Sequence, residues 1–499
     1  MVQVKKSSFI GKSLSLSAAK ITSMVLSLVT TMLLSRFRTL SEYGTYSQML
    51  MVITLMINLF MIGLPNSINY FLSIARTEED RAKFLSVYYT ASTILSALIG
   101  LLLVLAVPVL VSYFRNPYIQ SFIYFLALYP WTRIIDSSLE NVCIVYGRMR
   151  FLFFFRLIHS ITILGIIVGI QWLGFGFQEY MVCTVVAEIC FTIFIYLFVR
   201  ICSGKLRFSL NKEMIKKILV YSIPIGLASV AGTLKAEMDK LVIGWFYSTE
   251  ELAIYTNAAK EMPITIIATS ISAILIPIVV RLIRDKKMDK AVRLWKDTVG
   301  LSYYIMCYLA IGLFTFASEA MTFLYSEKYL AGVTVYRIYC IVLLFRSVYF
   351  GTMLSAIGKT RAILGATLSS LMINFVFNIL FYYIFGFIGP ALSTVLATTI
   401  SAGIQLMFTC KHTGQKIRNI FPWKDILWIT LLNAGFGAVF GWLKILLPLE
   451  QIVGSVLEAI LLALVWGALL FLLTRKYFLK KWRILSRVDG NGEREEILE

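Results

Sequence analysis

Fourteen apolar runs of membrane length follow one another along this chain, and they leave one class of architecture open. They lie near residues 11–34, 46–72, 84–111, 119–145, 151–173, 180–201, 217–246, 255–280, 298–317, 336–356, 362–384, 389–410, 425–447 and 452–473, and are numbered spans 1 to 14. About twenty apolar residues wound as a helix cross a hydrocarbon layer about 30 Å thick. A helix also pairs its own backbone N–H and C=O groups, which lipid cannot do for it. Hydrophobic residues make up 59% of the 499 and charged residues 15%, a balance that a water-soluble core does not need. The expected fold class is an all-α polytopic membrane protein of about fourteen helices.

The formal net charge is +20, which in a soluble chain would suggest a nucleic-acid partner. Its placement argues otherwise. With the N-terminus inside, inner loops and termini, counted with flanking residues at the inner span ends such as Lys12, Arg200, Lys217 and Arg281, hold 34 of the 47 Lys and Arg residues, and the rest of the spans hold eight. The outer loops hold five: Arg36, Arg38, Arg115, Lys328 and Lys444. This bias orients both termini to the cytoplasm, so the basic excess is a topology signal and no nucleic acid is expected. Lys5, Lys6 and Lys12 precede a span with no small-residue cleavage site, so span 1 reads as retained. The seven cysteines lie in or beside spans, without disulfide or metal-ligand spacing, and read as small core residues. No Walker motif appears, and the longest outer segment, about 318–335, is too short for a catalytic domain. No enzyme, catalytic residue or cofactor is expected.

The chain repeats itself. Tyr146-Gly-Arg-Met-Arg150 returns as Ile357-Gly-Lys-Thr-Arg361, both in short inner loops. SEYGTYSQ (41–48) resembles EELAIYTN (250–257), and Leu64-Pro65 near the end of span 2 returns as Ile276-Pro277 near the end of span 8. Three matches at nearly one offset, in register with the topology, indicate two six-span lobes of the same orientation. The expected division is 1–205 for the first lobe, 213–412 for the second, 425–475 for an appendage of spans 13 and 14, and 476–499 for a cytoplasmic tail.

Two six-span lobes, the outer turn LSEYGTYS, the Gly-basic-x-Arg loop and MDKLVIGWF…YTNAAK resemble the bacterial polysaccharide (O-antigen-type) flippases. These form the lipid-linked oligosaccharide branch of the multidrug/oligosaccharidyl-lipid/polysaccharide exporter superfamily. The resemblance spans nearly the whole chain. It implies a V-shaped helical transporter that carries undecaprenyl-diphosphate-linked oligosaccharide across the inner membrane, with lipids and the polysaccharide polymerase machinery as partners.

Charges inside the spans carry the functional argument. TLKAEMDKLVIG (233–244) sets Lys235, Glu237, Asp239 and Lys240 in span 7. Counted back from the belt Trp245-Phe246-Tyr247, Lys240 lies about 7 Å and Lys235 about 15 Å below the outer interface. Lys235 with Asp239 and Glu237 with Lys240 share helix faces. The bland reading is two neutralising pairs. The functional one is a wet cleft, because an isolated charge at that depth costs about 2.5–3.5 kcal/mol on insertion scales.

The other spans favour the cleft. Lys20 stands on a Ser/Thr stripe of span 1, and Arg133, Asp136 and Glu140 share a stripe of span 4. Arg346 stands in span 10, and Lys260, with Glu261, enters span 8 ahead of Pro263. Lys20, Arg133, Lys235, Lys260 and Arg346 are the expected substrate-binding cations of one central cavity, matched to a diphosphate. Asp239, Glu237 and Asp136 are expected to hold the cations or exchange ions. Glu188 in span 6 is a candidate proton carrier, and Asn374, Asn378 and Thr394 with Asp239 a candidate Na⁺ site. His159 reads as a packed histidine. The coupling ion, Na⁺ or H⁺, is left open, and two other functions compete: a peptidoglycan lipid II flippase and a drug/cation antiporter of the same superfamily.

The charge bias makes a direct prediction. Cysteines placed at Lys286 and Lys416 should label from the cytoplasm and those at Glu250 and Lys328 from outside. Labelling of the 281–296 loop from outside would overturn the topology.

Overall fold

Hydrocarbon forces each span to close its own hydrogen bonds, and the computed structural model shows how each helix begins and where it fails. It describes residues 6–260, 262, 264–348, 350–447 and 450–488, and no strand occurs among them. Polar caps start the helices at the membrane edge. Thr39 and Glu42 form a reciprocal capping box for Leu40–Met61, Thr77 caps Glu78–Leu105 through Asp80 N, and Asn211 caps Lys212–Phe246 through Met214 N. Each supplies an acceptor to a backbone N–H that the helix itself leaves open.

All fourteen spans are helical. Among the described residues nine helical stretches are long and apolar enough to cross a membrane, and one of them, Thr360–Thr413, contains spans 11 and 12. Spans 1, 4, 7 and 8 fall outside that set. Spans 4 and 7 carry the charge clusters, span 8 is interrupted, and the side chains of residues 6–21 in span 1, Lys20 included, lie outside the described set. Glu261 and Pro263 lie outside it as well.

The repeat is visible in irregular structure. A short helix and a 3₁₀ turn join spans 3 and 4 (Val107–Phe114, Pro117–Phe122), and the same pair joins spans 9 and 10 (Ala317–Tyr325, Glu327–Gly332). The two 3₁₀ turns begin 210 residues apart, at Pro117 and Glu327. The interruptions follow the repeat only in part: the equivalent spans 2 and 8 both break, at different positions, whereas span 10 breaks and span 4 does not. Span 2 breaks at Ile62 and Gly63. Span 8 breaks between Thr249–Ala258 and Thr265–Arg284, and span 10 between Val333–Arg346 and Thr352–Ala356.

Contacts divide the chain into two compact units, Met1–Ile254 and Tyr255–Glu499. The repeat follows sequence resemblance and this division follows packing, so the helix Lys212–Phe246, first of the second repeat, packs within the first unit. It meets span 2 at three depths. Thr249, just beyond its C-terminal end, lies so close to Gly44 that a Cβ on Gly44 would stand 2.2 Å from the Thr249 carbonyl oxygen. Around that contact Gln48 Nε2 donates to Thr249 Oγ1 (3.2 Å), and Asn116 Nδ2 donates to Gln48 Oε1 (2.7 Å) and Thr45 Oγ1 (2.9 Å). These are residues of the SEYGTYSQ motif, so its glycine and polar side chains serve close helix packing. In the middle, the break at Ile62 (φ 34°) and Gly63 (φ 72°) lies on Gly226. Further in, the rings of Tyr70 and Tyr221 stack at 4.5 Å.

In the second unit, spans 13 (Trp423–Leu446) and 14 (within Ser455–Val488) dock on span 9 (Met288–Thr315). Trp466 is fully buried between Phe436, Phe440 and Tyr308. Tyr303, Tyr304 and Tyr308 bond Thr430, Thr474 and the Ala463 carbonyl. Nearer the inner end, Lys481 bridges Asp297 and Asp425, and Tyr477 donates to Asp425 at 2.9 Å. The appendage is thus bolted to span 9, and through Lys444 to Glu319 on the short helix that follows it, by polar groups that lipid could not satisfy.

A Cβ on Gly226 would stand 2.1 Å from the Ile62 carbonyl carbon, whereas one on Gly165 in span 5 meets nothing within 4 Å. Gly226→Ala should therefore lower stability by about 1–3 kcal/mol, while Gly165→Ala should be neutral or stabilising. Thermal melting of the purified protein checks the pair, and equal shifts would refute the close span 2–span 7 contact.

Candidate functional site

Span 4 (Ile123–Val145), span 5 (Met149–Trp172) and span 6 (Phe177–Ser203) of the first unit bring five ionisable side chains together. Arg133 and Asp136 stand three apart on span 4, which in the sequence makes them partners. The structure gives Asp136 a closer partner on another helix. Asp136 is taken by Arg156 of span 5, whose Nη1 donates to both carboxylate oxygens at 2.7 and 2.8 Å. The Arg133 guanidinium stands 5.9 Å from the centre of the Tyr129 ring, and the residue as a whole is exposed. His159, read from sequence as a packing residue, lies with Nε2 3.2 Å from Glu188 Oε1. Phe191 meets the His159 ring edge-on at 4.8 Å. Helix spacing finds partners on one helix, and these two pairs each join two helices.

In span 7 the expected pairing of Glu237 with Lys240 is present. Lys240 Nζ lies 2.9 Å from Glu237 Oε2. Asp239 is buried and its carboxylate accepts from the Lys240 backbone N–H at 3.1 Å, while Lys235 is half-buried.

In the second unit the two deep cations stand at helix interruptions. Lys260 lies just past the end of Thr249–Ala258, and Arg346, expected mid-span, is the last residue of Val333–Arg346. Both line one cavity with Met262, Tyr336 and Tyr339. Backbone that leaves a helix at membrane depth is tolerated where it is buried in protein or lines a polar cavity, and here the breaks are at the cavity wall. Tyr336 is 2% exposed, and its hydroxyl has no hydrogen-bond partner among the described residues. Two cations and a buried hydroxyl on one wall suit an oxyanion, which accepts from all three. Sequence reasoning did not single out Tyr336, because a tyrosine in a span looks like any other aromatic until a cavity opens beside it.

Asn374, Asn378 and Thr394 do come together in the second unit, where Asn374 Nδ2 donates to Thr394 Oγ1 at 3.2 Å and Asn378 Nδ2 to Asn374 Oδ1 at 3.3 Å. Ser393 completes the cluster by donating to the Asn374 carbonyl at 3.1 Å. These bonds join spans 11 and 12. Asn378 Oδ1 is buried without a partner among the described residues. Arg337 is engaged near the N-terminal end of span 10 by the ring and carbonyl of Phe314.

The Arg156–Asp136 pair has a measurable consequence. Arg156→Leu strands a mostly buried carboxylate and should cost about 2–4 kcal/mol, and Asp136→Leu in the same chain should recover most of it. A double-mutant melting cycle tests this, and additive losses would show that the two side chains do not interact.

Comparisons with known proteins agree with this framework. The sequence matches the family described as polysaccharide biosynthesis protein over residues 33–334. No curated protein matches it. Among solved structures it resembles a lipid II flippase MurJ in an inward closed conformation, with a TM-score of 0.68 and 19% identity over 91% of this chain and 98% of that one. It also resembles an inward-facing multidrug resistance MATE transporter of the MOP superfamily (0.62, 15% identity, 79% of this chain and 94% of that one). A third is a MOP superfamily transporter from Pyrococcus furiosus (0.54, 15%, 81% and 95%). At such identities these likenesses establish the fold. The family match covers more than half of the chain, which therefore belongs to the family described as polysaccharide biosynthesis protein, and its fold is that of the MOP-superfamily transporters.

Proposed function

We propose that this protein carries an undecaprenyl-diphosphate-linked oligosaccharide from the cytoplasmic to the outer face of a bacterial inner membrane by alternating access, with both termini in the cytoplasm. The observation that carries the reading is the cavity shared by Lys260 and Arg346 at two broken helices. A diphosphate takes charge-assisted hydrogen bonds from both, and the planar Arg346 fork can hold two of its oxygens at once. Tyr336 and Tyr339 add hydroxyls and ring faces on the same wall, suited to phosphate or sugar. The polyprenyl tail stays in lipid while the polar head passes through protein. Lys20, Arg133 and Lys235 are further contacts for the anionic head. Asp239, Glu237, Asp136, Glu188, Asn374, Asn378 and Thr394 are the groups through which a Na⁺ or H⁺ gradient would drive the cycle. A polysaccharide polymerase is the expected recipient outside.

Lipid II presents the same diphosphate, so the test separates the two cargoes. Each lost charge-assisted bond is worth about 1.5–3 kcal/mol, or about 10–100-fold. A Lys260→Ala, Arg346→Ala double variant present at normal membrane levels should lose surface-polysaccharide export by at least that factor, and Arg346→Lys should keep only part of it. Full export by the double variant would overturn the role of the cavity. Rescue of cells depleted of their lipid II flippase, with no effect on surface polysaccharide, would replace the proposed cargo by lipid II.

A further inference from the structure

Topology needs a basic linker between the two repeats, but it does not need that linker to keep a fixed path or an ordered pattern. This one has both. Residues 205–211 join span 6 (Phe177–Ser203) to span 7 (Lys212–Phe246) and are neither helix nor strand. They are held all the same. The Arg207 backbone N–H donates to Ser86 Oγ and the Ser209 backbone N–H to Thr90 Oγ1, both at 3.1 Å. Ser86 and Thr90 are buried and four apart on span 3 (Glu78–Leu105), about 6 Å along its axis. Two residues of extended chain advance by about 6.6 Å. The spacings match, so the linker runs extended along span 3.

Extended chain turns successive side chains to opposite sides, and that sorts this segment by polarity. Leu206, Phe208 and Leu210 fall on one side, Lys205 and Arg207 on the other. Phe208 is 76% exposed and Leu210 53%, and Ile201 at the end of span 6 is 80% exposed. Lys212 and Lys216 extend the basic series into the first turns of span 7. None of Lys205, Arg207, Lys212 and Lys216 makes an ion pair among the described residues, and the acids beside them are taken: Glu213 by Lys217 at 2.8 Å, Glu78 by Arg81 and Glu79 by Lys83. The level is that of the membrane edge. Ser86 and Thr90 follow directly on the charged turns Glu78–Lys83, where span 3 passes into its apolar length.

We propose that this linker docks on the inner leaflet as an amphipathic strand, with Phe208 and Leu210 in the acyl boundary and Lys205, Arg207, Lys212 and Lys216 on the phosphates of anionic phospholipid. Juxtamembrane cations are drawn to an anionic leaflet, and their long apolar stems let the charged heads reach the head-group layer. Lipid is the occupant that fits both halves of the pattern, because it presents acyl chain and phosphate side by side at this level. A soluble polyanion would satisfy the cations and leave Phe208 and Leu210 in water. Ser86 and Thr90 hold the strand from the protein side, and anionic lipid holds it from the other. Nothing in this contact depends on which cargo is carried.

The test uses full-length protein with Phe208 replaced by the photo-crosslinking residue p-benzoylphenylalanine, in bilayers of phosphatidylglycerol and phosphatidylcholine in equal amounts. The same replacement of Phe375, exposed on span 11 in the second unit, reports the lipid ratio away from the linker. One cation near an anionic leaflet is worth about 5-fold in association, so adducts at 208 should favour phosphatidylglycerol by at least about 5-fold over the ratio at 375. Lys205→Gln, Arg207→Gln, Lys212→Gln and Lys216→Gln together should return the ratio at 208 to that at 375 while lipid adducts still form. Three results would overturn the proposal: no lipid adduct at 208 when 375 gives one, an adduct at 208 with the ratio found at 375, or a protein adduct in place of lipid.

Discussion

An amide that leaves its helix inside hydrocarbon has nothing to bond, and this constraint organises the whole molecule. It makes each span a helix, places Thr39, Thr77 and Asn211 where helices start, and turns every interruption into a costly event that something must repay. The three interruptions in spans 2, 8 and 10 show the two available answers. At Ile62 and Gly63 the loosened backbone is covered by the close approach of Gly226 on span 7. At Lys260 and Arg346 it lies on the wall of a cavity whose other polar groups include the Tyr336 hydroxyl.

The same scarcity of water governs the charges. Each ionised group at depth needs a counter-charge, and the first unit supplies two of these across helices, Asp136 to Arg156 and Glu188 beside His159, and one along a helix, Glu237 to Lys240. The cross-links tie spans 4, 5 and 6 into one body while Arg133 remains exposed over an aromatic ring. The second unit handles its cations differently. Lys260 and Arg346 share a cavity, and Lys481 and Lys444 are committed to carboxylates that fasten the appendage helices. The proposed passage of an anionic head group needs both kinds of arrangement: fixed pairs to keep the helices together, and cations that line a cavity.

The repeat was legible in a few short matches, and the paired 3₁₀ turns at Pro117 and Glu327 show it in three dimensions. Where the repeats differ could not be read that way. Span 4 runs unbroken through Arg133, whereas span 10 ends its helix at Arg346. Neither stretch contains a residue that forces the difference, because the break depends on which neighbour can accept the freed backbone groups. The SEYGTYSQ match held a similar surprise. It marks a register in the sequence, and in the structure its Gly44, Thr45 and Gln48 meet Thr249 and Asn116 from distant parts of the chain.

What the sequence determined by itself is local or statistical: the length and apolarity of fourteen spans, the basic bias of the inner loops, and the presence of charges where lipid penalises them. Each follows from the solvent a residue must face, which residue type and spacing encode directly. Which charge meets which was decided by tertiary structure. Asp136 and Arg133 have ideal spacing on one helix, yet Asp136 is bonded to Arg156, since a second helix brought a better-placed fork within 2.7 Å. The pairing of His159 with Glu188 and the cavity shared by Lys260 and Arg346 likewise join residues far apart in the chain, 29 positions in the first case and 86 in the second. One-dimensional spacing carries no record of such distances, which are set when the helices pack.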